Sequence, residues 1–348
     1  MASVQFFVAA CNRSPAEQSA APTTTTALSA TQPAAGSPSG TSSPTITLVA
    51  VGDIMLGRSV VSLMDRYGPM YPFENVASDL GSADIAIGNL EGTFTECGTS
   101  ANKEYVFRTP PRYATGLAQS GIDVVSLANN HTLDYGPEGL HDTLAALTAS
   151  GVAYSGAGDD EASARRPAIL EAQGLRVAFL SYAATADATF ATASTAGAAA
   201  AAVDAITEDV RQAKDQADIV VVSLHAGSEY ETEPSPTQRA LAEAAVAAGA
   251  TIVLGHHPHV LQPYELRDGS LIAYSLGNFV FDTSEGDVAE LGDAPLETVM
   301  LKIRVSAGGV ESVEPVPLYI DPYDHRPGPA SPAQAEEILR RIGAVATP

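Results

Sequence analysis

The sequence predicts an α/β fold whose central strands are buried on both faces, and three observations predict it. Short, continuously apolar runs recur along the chain, each ending in Gly, Asn, His or an acidic residue. Strands covered on both sides, with polar groups delivered at their C-terminal ends, have this pattern. Between the runs lie stretches with helix start and stop signals, and the later part of the chain holds β-rich segments with a Gly-containing turn.

The elements follow in order. TITLVAVGD, opening at Thr45, is β-branched and ends in Gly-Asp; ADIAIGNLEG and DVVSLANNH are runs of the same kind. PEGLHDTLAALTAS reads as a helix, with Pro137 in its first turn and Gly151 as its stop signal. ILEAQGLRVAFLSYA reads as a hairpin feeding the core. The low-complexity stretch TASTAGAAAAAV, from Thr192 to Val203, predicts the opening of a helix that continues through DAITEDVRQAKDQA. Two further buried strands, IVVVSLHAG and TIVLGHHPH, flank SPTQRALAEAAVAAGA, a helix ending near Gly249. LIAYSLGNFVFD and ETVMLKIRVSAGGVESVEPVPLYI read as strands joined in part by the turn AGGV, which predicts a second sheet packed on the first. Ligands of open α/β sheets collect outside the carboxyl ends of the strands, so these strand ends predict one shared crevice.

Composition narrows the function classes. The chain has 348 residues, 45% of them hydrophobic, enough for one catalytic-sized domain behind a tail. Its 41 acidic residues against 18 basic ones give a formal charge of −23 and no local basic patch, which argues against a nucleic-acid partner. A free polyanion is repelled at long range as well, although a bound cation pair reverses that sign locally. Cys97 sits in the loop FTECGTS without metal-ligand or redox spacing and reads as a bystander thiol. Cys11 closes FFVAAC, a short apolar run meeting small residues before a cysteine, as in a bacterial lipobox. The basic stretch and longer apolar core of a full signal peptide are not seen ahead of it. Residues 12–44 are rich in Ser, Thr, Pro, Ala and Gly and read as a disordered tether. The expected organisation is therefore a lipobox-like start and linker over 1–44, one folded domain of catalytic size over 45–322, and a C-terminal extension with a helix over 323–348. An acylated Cys11 predicts an extracytoplasmic protein, membrane-anchored or secreted.

The chemistry sits at the strand ends. Taken singly, Asp53 could cap a turn, Asn89 and Glu91 could be turn residues, and Asn129, Asn130 and His131 could bond the local backbone. His225 emerges where a buried strand ends, and His257 and His259 alternate with Pro258, which holds the loop extended. Together, carboxylates, an asparagine amide and three imidazoles, each delivered by a strand end, form the mixed O and N set that suits Mn, Fe or Zn. Two such ions can clamp a tetrahedral phosphoryl group. Arg108, in YVFRTPP, either pairs with a phosphate or carboxylate or forms a surface ion pair. His141 and His325 read as structural.

At this point the chain resembles a known family. VGDIMLGR, IGNLEG, LANNHTLDYG, LHAGSEY, GHHPHVLQ and YSLGNFVFD are similar to the successive motifs of the CapA family of poly-γ-glutamate capsule synthesis proteins, within the calcineurin-like metallophosphoesterase superfamily. The likeness covers roughly residues 45–321. It implies a four-layer α-β-β-α sandwich and a two-metal site. By that resemblance Asp53, Glu91, Asn130, His225, His257 and His259 are the metal ligands and His131 protonates the leaving oxygen or steadies the transition state. Asn89 stands where the superfamily has its bridging aspartate; Glu91, two residues on, is taken as the ionised ligand, and Asn89 with Arg108 as substrate contacts. The first motif departs from the superfamily pattern, with Met55 where a histidine is usual.

The function implied is an extracytoplasmic metal-binding protein of poly-γ-glutamate or other envelope-polymer synthesis, acting as a metal-dependent phosphoesterase-type hydrolase. Its expected partners are the polymer or a phosphorylated small substrate, membrane synthase subunits, and the membrane itself through Cys11. The alternative is a non-catalytic polymer-binding or synthase-scaffolding protein on the same fold; amide hydrolysis is a further possibility.

Overall fold

The computed structural model describes residues 43–283 and 285–343. The expected lipobox at Cys11, the tether as far as residue 42, and residues 344–348 of the expected C-terminal extension lie outside them. Strands β1 (Thr45–Ile54), β2 (Ile85–Leu90), β3 (Val124–Ser126) and β4 (Ala153–Ser155) pair in parallel, in that order. A second sheet follows: β5 (Ala168–Ala172), β6 (Leu175–Ala183), β7 (Ile219–His225), β8 (Ile252–His256), β9 (Leu261–Arg267) and β10 (Ser270–Leu276). Its spatial order is β9-β10-β8-β7-β6-β5, with β6, β7, β8 and β10 parallel and antiparallel strands at both edges. The chain then returns to the first sheet. Strand β11 (Asn278–Val280) pairs with the end of β1, while β12 (Glu297–Ser306), β13 (Gly309–Ile320) and β14 (Pro327–Pro329) extend its other side antiparallel.

Period-2 alternation along these strands separates three cores. Ile46, Leu48 and Ala50 of β1 face Val177 and Phe179 of β6 and Ile219 and Val221 of β7 across the inter-sheet space. Their neighbours Val49 and Val51 face outward, against Val60 and Met64 of α1 (Arg58–Tyr67) and Leu140 and Leu147 of α2 (Gly136–Ser150). On the far side, Val220 and Val222 meet Ile206 and Val210 of α3 (Val203–Lys214) and Leu241 and Ala245 of α4 (Pro236–Ala248). The result is the four-layer α-β-β-α sandwich. Helices α2 and α4 stop where expected, at Gly151 (φ 77°) and Gly249 (φ 114°), in the left-handed conformation that glycine adopts at low cost.

Two expectations need correction. The helix expected to open in the alanine-rich stretch starts only at Val203: Gly197–Ala198 pairs with Ala157–Gly158, and Ala200 bridges Ala183, so backbone pairing displaces helix propensity there. The late hairpin β12–β13 belongs to the first sheet, because β12 pairs with β1 over Thr45–Ala50; the second sheet is built from the middle of the chain. In the C-terminal region, α5 (Pro332–Arg341) carries a Ser331/Gln334 capping box and buries Ile338 in the inter-sheet core. Among the described residues no helix is long and apolar enough to cross a membrane.

Candidate metal centre

The parallel strands of both sheets finish on one side of the sandwich, and their ends build a single centre. Asp53 of β1 lies level with Asn89 of β2, and Glu91 follows one residue beyond that strand. The turn after β3 brings Asn129, Asn130 and His131. In the second sheet His225 ends β7 opposite His256 of β8, and the next loop adds His257 and His259. Close approach of backbones makes this possible: a Cβ on Gly52 would sit 2.0 Å from Gly277 O, and one on Gly255 would sit 1.9 Å from Tyr274 O.

All the residues read as metal ligands, together with His131, meet here. Asp53 Oδ1 accepts the Asn89 amide at 2.9 Å and His256 Nδ1 at 3.1 Å, and its Oδ2 accepts the His257 N–H at 3.3 Å. His225 Nε2 donates to Asn130 Oδ1 at 2.9 Å, while its Nδ1 faces the Asn89 amide at 3.3 Å. His259 Nδ1 donates to Asn278 at 2.9 Å, which leaves Nε2 3.6 Å from Glu91 Oε1. His131 Nε2 lies 3.7 Å from the same oxygen. Ligand atoms of Asp53, Glu91 and His225 fall within 4.8 Å of one another.

Glu91 tests whether these residues fit a metal. It is 1% exposed, and neither carboxylate oxygen has a hydrogen-bond partner. An ionised carboxylate in that setting is costly unless a cation stands beside it. Burial, reinforced by the charge of Asp53, pushes its carboxyl well above the usual carboxylate range. Burial would raise Asp53 too, but the imidazoles of His256 and His259 and the Asn89 amide outweigh it and hold Asp53 below its ordinary value. Burial and the neighbouring rings push His225 well down, and burial with the His259 charge lowers His257 to about 4. Both imidazoles are therefore neutral at physiological pH, the form that ligates. Orphaned carboxylate oxygens beside neutral imidazoles fit a borderline divalent ion.

His131 is held separately. Its Nδ1 donates to Asp134 Oδ2 at 2.7 Å, that oxygen also accepts the Phe107 N–H at 2.6 Å, and Lys103 Nζ pairs with Asp134 Oδ1 at 2.7 Å. The His131 ring stacks on Phe107 at 4.0 Å. Burial lowers the His131 pKa against the pull of Asp134. A cavity of about 190 Å³ opens over His131 and His259, walled by Tyr105, Phe107, Tyr230 and Phe281.

The two expected substrate contacts are placed otherwise. Asn89 is fully buried and bonded to Asp53, His225 and Asn129, so it braces the ligands instead of facing a substrate. Arg108 is exposed and stacks 4.7 Å over the Tyr135 ring; the guanidinium lining the cavity is that of Arg58, paired with Asp282 at 3.1 Å. His141 pairs at the surface with Asp159, whereas His325 bonds Ser59 at 3.0 Å. Sequence reasoning missed His256, although it stands within the quoted GHHPH, and missed Asp134, Lys103 and Asp187, whose Oδ2 accepts the Asn130 amide at 2.9 Å. Asp134 had a signal, three residues after His131 in HTLD; Lys103 and Asp187 had none.

The fold is one that solved phosphatase and nucleotidase structures share. A phosphatase from Mycoplasma pneumoniae matches with a TM-score of 0.50 at 14% identity, covering 86% of this chain and all of that one. A 5'-nucleotidase precursor from Thermus thermophilus gives 0.50 at 12% identity, covering 85% and 58%. These likenesses establish the fold alone. The chain belongs to the family of the bacterial capsule synthesis protein PGA_cap, whose profile matches residues 47–283. It is 37% identical over 246 residues to the capsule biosynthesis protein CapA of Bacillus anthracis, covering 68% of this chain and 60% of that one. A probable polyglutamine synthesis accessory protein of Mycobacterium tuberculosis is 28% identical over 327 residues, covering 79% and 85%. The chain spans about 60% of the length of the Bacillus relatives it matches.

Proposed function

We propose that this protein is a metal-dependent phosphoester hydrolase of envelope-polymer synthesis, with poly-γ-glutamate as the polymer, working outside the cytoplasm beside membrane synthase subunits. One observation carries the reading: Glu91 is buried with both oxygens unpartnered among Asp53 and the imidazoles of His131 and His259. Divalent ions held by Asp53, Glu91, Asn130, His225, His257 and His259 would supply Lewis-acid polarisation of a phosphoryl group.

The chain's own residues do the rest. Asp134 accepts from His131 Nδ1, so in the neutral ring Nε2 is the unprotonated atom that faces the centre, free to take up a proton and hand it on. Burial keeps this imidazole neutral near pH 7 and makes it a ready acid once it takes up a proton. Asn89 and Asn278 fix the ligand rotamers through Asp53 and His259. Tyr105, Phe107, Tyr230 and Phe281 wall the cavity above the ligands, and Arg58 presents a cation to an anionic group entering it.

The test uses Mn²⁺-loaded protein and an aryl phosphate. Hydrolysis should vanish on chelation and fall steeply in His131→Ala; activity indifferent to both removes the hydrolase reading. Retained affinity for γ-glutamyl chains with no turnover in the unaltered protein would instead favour the polymer-binding alternative. For the proposed anchor, Cys11→Ser should move the protein from membrane to supernatant, and an unchanged distribution argues against acylation.

A further inference from the structure

Arg58 brings a guanidinium to the wall of the cavity over His131 and His259 from the first position of α1, where it holds φ 53°. Its charge is clamped from two sides. Asp282, 6% exposed, pairs through Oδ1 with Arg58 Nε at 3.1 Å, and Arg58 Nη2 donates to the Asp282 backbone oxygen at 3.2 Å. The Phe107 ring faces the guanidinium at 5.7 Å. Asp282 is held in its turn by Ser59, whose N–H and Oγ donate to Oδ2 at 3.1 and 2.6 Å.

The residue that ends this chain of bonds comes from the C-terminal region. His325 Nε2 lies 3.0 Å from Ser59 Oγ. Because the Ser59 hydroxyl proton goes to Asp282, the bond from His325 has one polarity: Nε2–H donates and Oγ accepts. Burial lowers the His325 pKa against the pull of the Asp282, Asp324 and Asp321 carboxylates, so near pH 7 the ring is neutral with its one proton on Nε2. Nδ1 is then the bare nitrogen, and it is buried without a hydrogen-bond partner.

The placement of His325 is built into the backbone. It sits in the turn between β13 and β14 at φ 60°, left-handed like Arg58 at the other end of the chain of bonds. Neither residue is glycine, and strain of this kind gathers where side chains must be aimed. Bonds across the turn hold it: the Asp321 N–H donates to Arg326 O at 3.0 Å, the His325 N–H donates to Asp321 O at 2.8 Å, and Asp321 Oδ1 accepts the N–H groups of Tyr323 and Asp324. This turn lies beyond residues 47–283, the part matched by the family profile.

We propose that His325, Ser59 and Asp282 are positioning residues that fix Arg58 for an anionic group, a phosphate or phosphate ester, entering the cavity. Without the His325 donor, Ser59 Oγ loses a partner, Asp282 loses a fixed neighbour, and the guanidinium spreads over more orientations. None of these residues is among the proposed metal ligands, so they govern affinity for the anion and leave the metal in place. This inference rests on the reading of the cavity as the entry for an anionic substrate.

The experiment reads binding apart from turnover. Full-length protein loaded with Mn²⁺ is titrated with inorganic phosphate by calorimetry, and KM and kcat are measured on an aryl phosphate. The set is the unaltered chain, Arg58→Ala, His325→Ala, His325→Gln, Ser59→Ala and the Arg58→Ala/His325→Ala pair, with thermal midpoints and bound Mn²⁺ confirming that each is folded and loaded. His325→Ala should weaken phosphate and raise KM roughly 5-fold with kcat little changed, and Ser59→Ala should do the same. His325→Gln, whose side-chain amide can donate to Ser59 Oγ, should restore most of the loss. The pair should be no weaker than Arg58→Ala alone, because the His325 effect passes through Arg58. Parental phosphate affinity in both His325→Ala and Ser59→Ala, or a pair in which the two losses multiply, overturns the positioning role while the hydrolase reading stands. Phosphate binding with the expected pattern but no turnover removes the hydrolase reading and leaves the positioning role. No phosphate bound by the unaltered chain overturns the positioning role, and the hydrolase reading with it if the aryl phosphate is also left intact.

Discussion

Replacing Glu91 by glutamine should make the metal-free protein more stable and the metal-loaded protein less so. In the folded chain both Glu91 oxygens are buried without partners, and burial with the Asp53 charge raises the carboxyl well above its ordinary 4.5. The sign follows from linkage. Above about pH 4.5 the unfolded chain releases this proton while the folded one retains it, so stability falls as pH rises from there toward the raised folded value. Glutamine keeps the shape and removes the charge. Keeping a buried, unpartnered carboxyl from ionising, or ionised, costs on the order of 1–3 kcal/mol, and an amide has no proton to lose, so Glu91→Gln should recover about that much at pH 8. For a domain of this size the gain corresponds to a rise of about 2–6 °C in thermal midpoint. Mn²⁺ at 100 times its dissociation constant should add about 2.7 kcal/mol to the unaltered chain and little to the variant. Thermal unfolding in chelator and in Mn²⁺, at pH 5 and pH 8, checks all of this. A variant less stable than the parent in chelator at pH 8, or one with the parent's full metal-induced rise, would refute the account of Glu91 as a cation-seeking carboxylate.

Two other outcomes are expected. Asp134→Asn removes the acceptor that orients His131, so kcat on an aryl phosphate should fall about 100-fold with KM and bound Mn²⁺ near parental values; a parallel loss of metal would make Asp134 merely structural. Lowering of the His257 pKa from 6.5 to about 4 means that the unfolded chain gains a proton across that window while the folded chain does not. The metal-free protein should accordingly lose roughly 3 kcal/mol as pH falls from about 6.5 to 4 through this group, opposite in sign to the Glu91 effect. Denaturant unfolding of the parent and His257→Asn over that range isolates the contribution, and a constant difference between them contradicts it.

Much of the site was legible because strand ends are legible. Asp53, Asn130, His225 and His259 each follow a run whose alternate residues fill different cores, and parallel pairing must then bring those ends to one side. Asn89 and Arg108 lie otherwise than expected for a related reason. Near a strand end, sequence order does not say whether a side chain points at the ligands or past them; Asn89 points inward to brace Asp53, and Arg108 turns out over Tyr135. The partners of His131 and Asn130 were harder still. Lys103 and Asp187 come from loops 28 and 57 residues away, and nothing in local spacing announces such a contact.

By itself the amino-acid order determined the layers, the helix stops at Gly151 and Gly249, and the family, because apolar periodicity and short motifs act over a few residues. Only the tertiary structure decided which sheet receives the late hairpin, that Arg58 and not Arg108 lines the cavity, and that Glu91 is left without a hydrogen bond. Those outcomes depend on how distant segments share one desolvated volume, and burial there sets which charges are neutral, which are braced and which still call for a cation.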